Sequence, residues 1–293
     1  MGTNKRIRFI LNRKAGTGLN NAITKAVVDN FSNHKFDTEI LYTKYPKHAI
    51  ELSRQAVSEN YDVVVAVGGD GTVNEVAQSL KNSKTSLAII PTGSGNGFAR
   101  HFKIPMKMEK ALDVIKNGNT VCIDSLLVND KFCINIAGIG FDAYIAHLFA
   151  NYGKRGFNTY IKLVLKKYFH FHDNNYSVEY DSNLINSPAL LISVANATQY
   201  GNNARIAPNA IPDDGIIDLT ILRRVPVWHF PTVFIKIFLG KLETSKYARM
   251  IRSNSFKINS DKHMFVHLDG EPVEPCSEII AAICPKTNLL IVP

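Results

Sequence analysis

The stretch that most constrains the fold is an apolar run followed at once by a glycine-rich turn. Residues 62–67 read DVVVAV, and the run Gly68, Gly69, Asp70, Gly71 and Thr72 comes directly after them. Apolar side chains without polar alternation indicate a parallel strand that is covered on both faces. The glycines allow a sharp turn into the helix that we predict over 72–80. The sequence therefore favours a parallel sheet with helices packed on both sides.

The pattern around this run predicts two domains, which a length of 293 residues permits. Strands and helices alternate as far as residue 124, whereas the later strands are separated by turn-rich loops, which is typical of a β-sandwich or barrel. In the first part the pattern predicts strands over 6–12, 37–42, 61–67 and 86–90, with helices over 19–31, 46–59 and 72–80. In the second part it predicts strands over 131–137, 176–181, 188–196, 216–222, 255–259 and 263–268, with helical inserts over 157–171 and 227–239. We therefore predict an α/β domain over 1–124 and an all-β, sandwich-like domain over 125–293.

Composition excludes several classes of protein but does not choose a partner. With 45% hydrophobic and 20% charged residues the chain is neither disordered nor fibrous, and its four cysteines show neither zinc-ligand spacing nor a disulfide framework. A net charge of +9 permits nucleic acid, an anionic membrane or phosphorylated ligands as partners, although a basic surface also serves solubility alone. No apolar run has the length of a spanning helix, and the first residues do not resemble a secretory signal. We expect a cytoplasmic protein.

The glycine-rich turn at 68–72 suits a phosphate group. Main-chain N–H groups of glycines can approach an anion closely, and the positive end of the following helix supports it. Thr72 and Glu75 also fit a capping box, which would explain both residues without a ligand. Asp70 is not explained in this way, because a carboxylate repels phosphate unless it binds Mg²⁺ or takes a proton from an attacking hydroxyl.

Two more glycine loops follow predicted strands, one over 91–97 (PTGSGNG) and one over 12–18 (NRKAGTG). Loops at the ends of neighbouring parallel strands form one crevice, where open sheets bind ligands. Each loop alone could be a simple strand-to-helix turn. The chain has no GxxxxGK[ST] motif, and we interpret the GIGFDA match at 138–143 to the dinucleotide motif as a coincidence, since no βαβ unit begins there.

Paired acidic residues occur at two turns of the second half. Asp213 and Asp214 precede a glycine, and Asp269 and Glu271 flank one. Both motifs are ordinary turn sequences. The alternatives are a hard-cation site at the first turn and a general base at the second.

Taken in order, these motifs resemble the diacylglycerol kinase catalytic family in its bacterial lipid-kinase branch, over essentially the whole chain. The motifs are NRKAG at 12–16, Thr43, GGDGT at 68–72 with Asn74 and Glu75, PTGSGN at 91–96, DDG at 213–215 and DGE at 269–271. The resemblance implies an ATP-dependent kinase of a lipid hydroxyl, with a nucleotide domain, a β-rich lipid domain and the active site between them. Mg²⁺ is the implied cofactor and ATP the co-substrate.

The resemblance also assigns roles to residues of this chain. It implies Glu271 as the proton acceptor, with Asp269 and Asp70 as further catalytic candidates, and a structural Mg²⁺ on the Asp214 side chain and on main-chain oxygens near Ile211 and Ile216. The implied ATP-binding residues are Asn12, Lys14, Gly16, Thr43, Gly68, Gly69, Asp70, Gly71, Thr72, Asn74, Glu75, Thr92, Ser94, Gly95 and Asn96.

One position departs from the family pattern. Many bacterial members have an acidic residue where this chain has Gly97, and the GSGNG sequence at 93–97 is closer to sphingosine kinases. The departure weakens the case for diacylglycerol as the acceptor and for a metal-water role at this position. Asp142 then becomes a candidate for binding a polar or amino-bearing lipid head, or else a helix-start residue.

Membrane contact is expected from two aromatic segments that carry lysines. Tyr160, Val164 and Tyr168 recur at helical spacing in the first, and Trp228 and Phe234 lie in the second. Most such helices simply bury one face, but aromatic residues beside lysines also suit an anionic bilayer surface. We expect peripheral membrane association, no nucleic-acid partner, and leave a homodimer open.

Three hypotheses follow. The first is a lipid kinase. The second is a kinase of a soluble acceptor, because GGDG also marks NAD kinases. The third is a non-catalytic regulator that binds nucleotide and lipid.

Overall fold

A computed structural model describes residues 4–13, 20–32, 35–150 and 157–293. The chain forms two compact units, one of Met1–Ile123 with Lys286–Pro293 and one of Asp124–Pro285. The sequence analysis assigned the whole of 125–293 to the second domain, whereas the structure returns the last eight residues to the first unit. We describe each unit separately.

The first unit is an α/β layer structure around a parallel sheet, in agreement with the prediction. Strands β1, β3 and β4 pair in parallel side by side, with β2 on the far side of β1. The strands are β1 (Lys5–Leu11), β2 (Phe36–Tyr42), β3 (Val63–Gly68) and β4 (Ser86–Pro91). The helices are α1 (Asn20–Phe31), α2 (His48–Ser58), α3 (Asp70–Leu80), α4 (Gly97–His101) and α5 (Met108–Asn117).

All six residues of β3 are buried, as the unbroken apolar run requires. Alternate residues of β1, such as Phe9, pack with apolar residues of α1 and α5, while α2 and α3 contact each other and the same sheet. Both faces are therefore covered, which is the arrangement typical of parallel strands. The end of the last strand also enters this sheet, where Leu290 pairs in parallel with Leu87 of β4.

The second unit is built mainly from antiparallel strands, in agreement with the predicted all-β texture. Its strands are β5 (Asn119–Val128), which starts in the first unit, β6 (Lys131–Cys133), β7 (Ile136–Gly140), β8 (Asn174–Tyr180), β9 (Asn183–Ala189), β10 (Leu191–Ala195), β11 (Ile217–Leu222), β12 (Ala248–Ser253), β13 (Ser255–Leu268) and β14 (Glu271–Val292). The sheet order is β12, β11, β10, β7, β13, β14. One end of β13 pairs with β7 and the other with β8, so this long strand connects two parts of the unit.

Three helices add to the second unit: α6 (Phe141–Ala150), α7 (Phe157–Tyr168) and α8 (Phe230–Leu239). Apolar residues of all three, including Ile145, Leu163 and Val233, share one buried cluster with the ends of β10 and β11. The sequence analysis predicted the second and third helices but not α6. Within the described ranges, no helix is both long and apolar enough to cross a bilayer.

Candidate functional site

The glycine-rich turn of the first unit joins β3 directly to α3. The helix begins at Asp70 after the N-cap Gly69, which makes no side-chain capping bond. The predicted capping box is therefore wrong, because Thr72 lies inside the helix and its Oγ1 accepts a hydrogen bond from Asn12 Nδ2 at 3.0 Å. Glu75 instead accepts the main-chain N–H of Lys47 at 3.1 Å. Both side chains thus fix neighbouring segments around the turn.

The glycine loops at 68–72 and 91–97 contact each other through their main chains. Thr92 N–H donates to Gly68 O at 2.9 Å. A Cβ at Gly93 would lie 2.6 Å from the Cα of Gly69, closer than real Cβ atoms approach backbone. The two loops therefore form one surface in which glycine is required at position 93.

An asparagine gives the second loop its shape. Asn96 is buried and has left-handed backbone angles, with φ 49°. Its side chain accepts the Gly93 N–H at 3.1 Å and donates to Gly93 O at 2.7 Å. Asp70 Oδ1 accepts the Phe98 N–H at 3.3 Å, which ties the start of α3 to the start of α4. Ser94 remains exposed at the tip of the loop.

The other predicted nucleotide residues lie along the same edge of the sheet. Asn12 and Thr43 follow β1 and β2, and their N–H groups donate to Val67 O and Leu11 O at 3.1 and 2.9 Å. Gly71 and Asn74 lie in the first turns of α3, and Gly95 O accepts a hydrogen bond from Arg100. Lys14 and Gly16, and most of the third glycine loop, lie outside the described residues. The edge combines main-chain N–H groups with a helix N-terminus, which is an arrangement that binds phosphate.

The described residues of this edge can form a Mg²⁺ site only together with a bound phosphate, which would supply further oxygen ligands. Nowhere in the described ranges do three or more His, Cys, Asp or Glu side chains form a metal cluster. Asp70 is the partly exposed carboxylate at the start of α3. Mg²⁺ typically binds one or two carboxylates and completes its shell with water and substrate phosphates. Asp70 could therefore hold Mg²⁺ that is bound to a nucleotide.

The predicted structural Mg²⁺ ligand of the second unit is already paired in this structure. Asp214 Oδ2 contacts the guanidinium of Arg252, and its Oδ1 accepts the Ile216 N–H at 3.1 Å. A cation bound to Asp214 and to oxygens near Ile211 would have to compete with the arginine. The ligand set stays a prediction.

The two carboxylates of the DGE turn have different surroundings. Asp269 is 8% exposed, and its oxygens accept the N–H groups of Ile134, Asn135 and Ile136, each at 2.9 Å. The Cys133 thiol donates to the same carboxylate, and burial, together with the charge of Asp269, raises the pKa of that thiol. Glu271 is exposed at the start of β14. The turn therefore offers Glu271 to solvent and uses Asp269 to hold the preceding loop.

A cavity of about 370 Å³ opens among the helices of the second unit. Its walls are almost entirely apolar and come from α6, α7, α8 and the ends of β10 and β11. Typical wall residues are Ile145, Val164, Leu222, Val233 and Ile237. A pocket of this kind suits an apolar ligand. The sequence analysis did not predict it, because the walls come from segments far apart in the chain.

One carboxylate, Asp142, lies in the wall of this cavity. Asp142 is 6% exposed, and its Oδ2 accepts the Tyr200 O–H at 2.5 Å and lies 3.4 Å from His267 Nε2. Burial, followed by the charge of Asp142, raises the pKa values of Tyr160 and Tyr200, so both phenols remain hydrogen-bond donors. The cavity thus combines apolar walls with one buried acidic group. Asp142 also lies in the first turn of α6, so it is a helix-start residue as well.

Comparisons with known proteins match most of the chain. A model of the diacylglycerol kinase catalytic domain matches residues 6–128, and a model of the YegS C-terminal NAD kinase beta sandwich-like domain matches 135–291. A Bacillus subtilis (strain 168) protein named diacylglycerol kinase is 28% identical over 272 residues, or 91% of this chain and 90% of that protein.

Two solved structures share the fold. A diacylglycerol kinase structure from Bacillus anthracis str. Sterne has a TM-score of 0.76 at 22% identity and covers 100% of this chain and 98% of that one. An NAD kinase from Archaeoglobus fulgidus in complex with ATP has a TM-score of 0.55 at 15% identity, covering 98% and 93%.

Proposed function

Because the chain belongs to the bacterial diacylglycerol kinase family of lipid kinases, we propose that it transfers the γ-phosphate of ATP to the hydroxyl of a long-chain lipid whose head is uncharged or bears an amine. The observation that carries this proposal is the apolar cavity with the single carboxylate of Asp142. Apolar walls favour hydrocarbon chains, and a buried carboxylate accepts hydrogen bonds from hydroxyl or ammonium groups but repels phosphate. Diacylglycerol-like and sphingoid lipids both meet these conditions.

The glycine loops of the first unit hold the nucleotide in this proposal. The triphosphate accepts hydrogen bonds from main-chain N–H groups of the loops at 68–72 and 92–96, at the positive end of α3. Asp70 holds the Mg²⁺ that accompanies ATP, and this ion would neutralise part of the phosphate charge. The contact between Gly69 and Gly93 supports a common phosphate surface.

Glu271 accepts the proton in the proposed reaction. The lipid oxygen forms a bond to the γ-phosphorus, the bond to the oxygen bridging the β- and γ-phosphates breaks, and ADP leaves with that oxygen. The hydroxyl proton goes to Glu271, which is exposed, whereas the oxygens of Asp269 already accept main-chain N–H groups. We therefore propose Asp269 as a positioning residue.

The lipid is reached from a membrane surface. Trp228 is 78% exposed and Phe234 is 49% exposed, and Phe234 also lines the cavity. Lys236 and Lys241 lie on or beside the same helix. Aromatic side chains enter the bilayer interface while lysines bind anionic headgroups, so the cavity would open toward the bilayer.

A kinase of a soluble acceptor is the second candidate, because the fold is shared with an ATP-bound NAD kinase. Its acceptor would carry phosphate or several polar groups. The cavity offers such a molecule apolar walls and a negative charge, so this candidate has less support. A non-catalytic regulator stays open as the third hypothesis.

The test uses radiolabelled ATP and Mg²⁺ with diacylglycerol, phosphatidylglycerol, a sphingoid base and ceramide in mixed micelles, and NAD as the soluble acceptor. We expect labelled product from diacylglycerol, the sphingoid base or ceramide, and none from phosphatidylglycerol or NAD. Because phosphoryl transfer has a loose transition state that depends mainly on charge neutralisation, Asp70→Asn should lower kcat more than Glu271→Gln. Label in NAD alone, ATP binding without transfer, or near-wild-type rates for both variants would contradict the proposal.

A further inference from the structure

His267 contacts both the cavity carboxylate and the turn that precedes Glu271. It is buried near the end of β13, and its Nε2 lies 3.4 Å from Asp142 Oδ2. Its other ring nitrogen, Nδ1, accepts the main-chain N–H of Gly270 at 3.2 Å. One imidazole ring therefore joins the proposed lipid-head group to the proposed catalytic turn.

These contacts determine which nitrogen carries the ring proton. The Gly270 N–H is a donor, so Nδ1 must be the unprotonated acceptor. The proton of the neutral imidazole is then on Nε2, which faces the Asp142 carboxylate. The two nitrogens therefore differ: Nε2 carries the proton and lies beside the carboxylate, and Nδ1 accepts the main-chain N–H of the turn.

The turn itself is fixed on two sides. Leu268 pairs with Glu271, so Asp269 and Gly270 form a two-residue hairpin loop with φ 50° and 86°, as in a type I′ turn. The Asp269 side chain secures one side through the N–H groups of 134–136. His267 secures the other side through the Gly270 N–H.

Glycine at position 138 makes room for the pair. Gly138 lies opposite His267 on β7, and a Cβ there would overlap both the Asp142 carboxylate and the His267 ring. The close approach of the two side chains thus depends on the missing Cβ. This packing is independent of the hydrogen-bond assignment and supports a defined His267–Asp142 contact.

We propose that His267 is a positioning residue that orients the lipid-head carboxylate through Nε2 and the Glu271 turn through Nδ1. The kinetic part of this inference rests on the proposed function, because a lipid kinase would use both Asp142 and Glu271 in one reaction. Catalytic groups must be held closely, since a displacement of about 1 Å can cost on the order of 100-fold in rate. Loss of each contact should therefore affect a different kinetic constant.

Two variants separate the contacts. The amide of His267→Gln can reach the position of Nε2 and donate to Asp142, but leaves Gly270 without an acceptor. The amide oxygen of His267→Asn can take the place of Nδ1, but does not reach Asp142. We expect His267→Gln to lower kcat about 10- to 100-fold with an almost unchanged lipid KM. We expect His267→Asn to raise the lipid KM about 10-fold with a kcat near that of the wild type.

The matched control is His147→Gln. His147 Nε2 is 3.1 Å from Val266 O, and Val266 directly precedes His267 on β13. We expect no split between kcat and KM. If both His267 variants change the same constant, or neither changes any, the inference is overturned.

A spectroscopic arm on the full-length protein does not depend on activity. With ¹⁵N-labelled histidine, NMR spectra should show the neutral His267 ring as the Nε2–H tautomer. The Gly270 amide should be protected from hydrogen exchange in the wild type and in His267→Asn, and should exchange at least 10-fold faster in His267→Gln. An Nδ1–H tautomer or an unprotected wild-type amide overturns the inference. The absence of lipid phosphorylation with these signatures intact overturns only the proposed function.

Discussion

In the proposed function, the glycine loops of the first unit and the cavity of the second recognise their ligands by different means. The loops offer main-chain N–H groups, and the space they need exists because Gly69 and Gly93 have no side chains. The cavity is formed by side chains from three helices and two strands, with a single acidic group. A phosphate surface made of backbone cannot accept even one added carbon, whereas an apolar wall can exchange one hydrocarbon side chain for another. The comparison predicts abrupt losses in the first unit and graded losses in the second.

The largest expected effect is that of Gly93→Ala. The added Cβ would meet the Cα of Gly69 at 2.6 Å, so both loops must move apart. We expect kcat/KM for ATP to fall by on the order of 100-fold or more, because displacements of this size misalign the reacting groups. Steady-state kinetics and nucleotide binding measure the effect. Lipid binding by the second unit should persist, and a wild-type KM for ATP would break the comparison.

The next effect concerns the acidic group of the cavity. Asp142→Asn removes the charge and should raise the lipid KM about 10-fold, since a hydrogen bond to a charged group contributes about 1.5–3 kcal/mol. The KM for ATP should not change. Ile237→Val is the matched wall variant, and its smaller loss of apolar contact should change the lipid KM about threefold or less. An equal increase in lipid KM for Asp142→Asn and Ile237→Val would contradict the separate contributions of the carboxylate and the apolar wall.

Membrane contact should show a similar contrast between two exposed apolar sites of the second unit. Trp228→Ala combined with Phe234→Ala should weaken sedimentation with anionic vesicles about 10-fold or more, because each side chain loses the burial of its ring in the interface. Leu184 on β9 is also exposed, at 59%, and Leu184→Ala serves as the control. Similar vesicle binding by the double variant and by Leu184→Ala would contradict membrane contact through α8 and its flanking residues.

The smallest expected effect concerns the buried carboxylate of Asp218, which lies outside the proposed reaction. Burial raises the pKa of Asp218, against the opposing charge of Arg252. The folded state therefore holds this proton more tightly than the unfolded state, so the contribution of Asp218 to stability falls as pH rises through that raised pKa. Asp218→Asn should remove this dependence, changing the free energy of unfolding by about 1 kcal/mol. Urea unfolding between pH 4 and 7 measures it, and unchanged curves would contradict the assignment. Kinase activity should be unaffected.

The sequence predicted that the glycine turns lie at one edge of the parallel sheet, because the determinants of these turns are local. Glycines directly after a buried strand specify a turn whatever the rest of the chain does, and the adjacent strands β3 and β4 bring two such turns together. The predicted capping box was wrong, because Asn12 and the Lys47 N–H, both distant in sequence, take up Thr72 and Glu75. Local patterns could not reveal these partners.

For the second unit, the sequence predicted strands separated by turn-rich loops and two helical inserts, but not how the strands pair. Strand β14 was missed because its 22 residues show no continuous alternation, and its longer first part and its short end belong to different units. The pairing of Asp214 with Arg252 joins residues 38 positions apart. The position of His267 was also missed, because Asp142, which lies 3.4 Å from its ring, is distant in sequence.

The return of the chain's last strand to the first sheet has a consequence for synthesis on the ribosome. Leu290 and Ile291 are buried in the first unit, and Asn288 Nδ2 donates to Ala77 O at 2.8 Å. The amino-terminal unit therefore lacks one strand of its sheet until residues 286–293 have been made, after the whole of Asp124–Pro285 has been synthesised. The sheet that carries the glycine loops can therefore be completed only after the residues of the second unit have been synthesised.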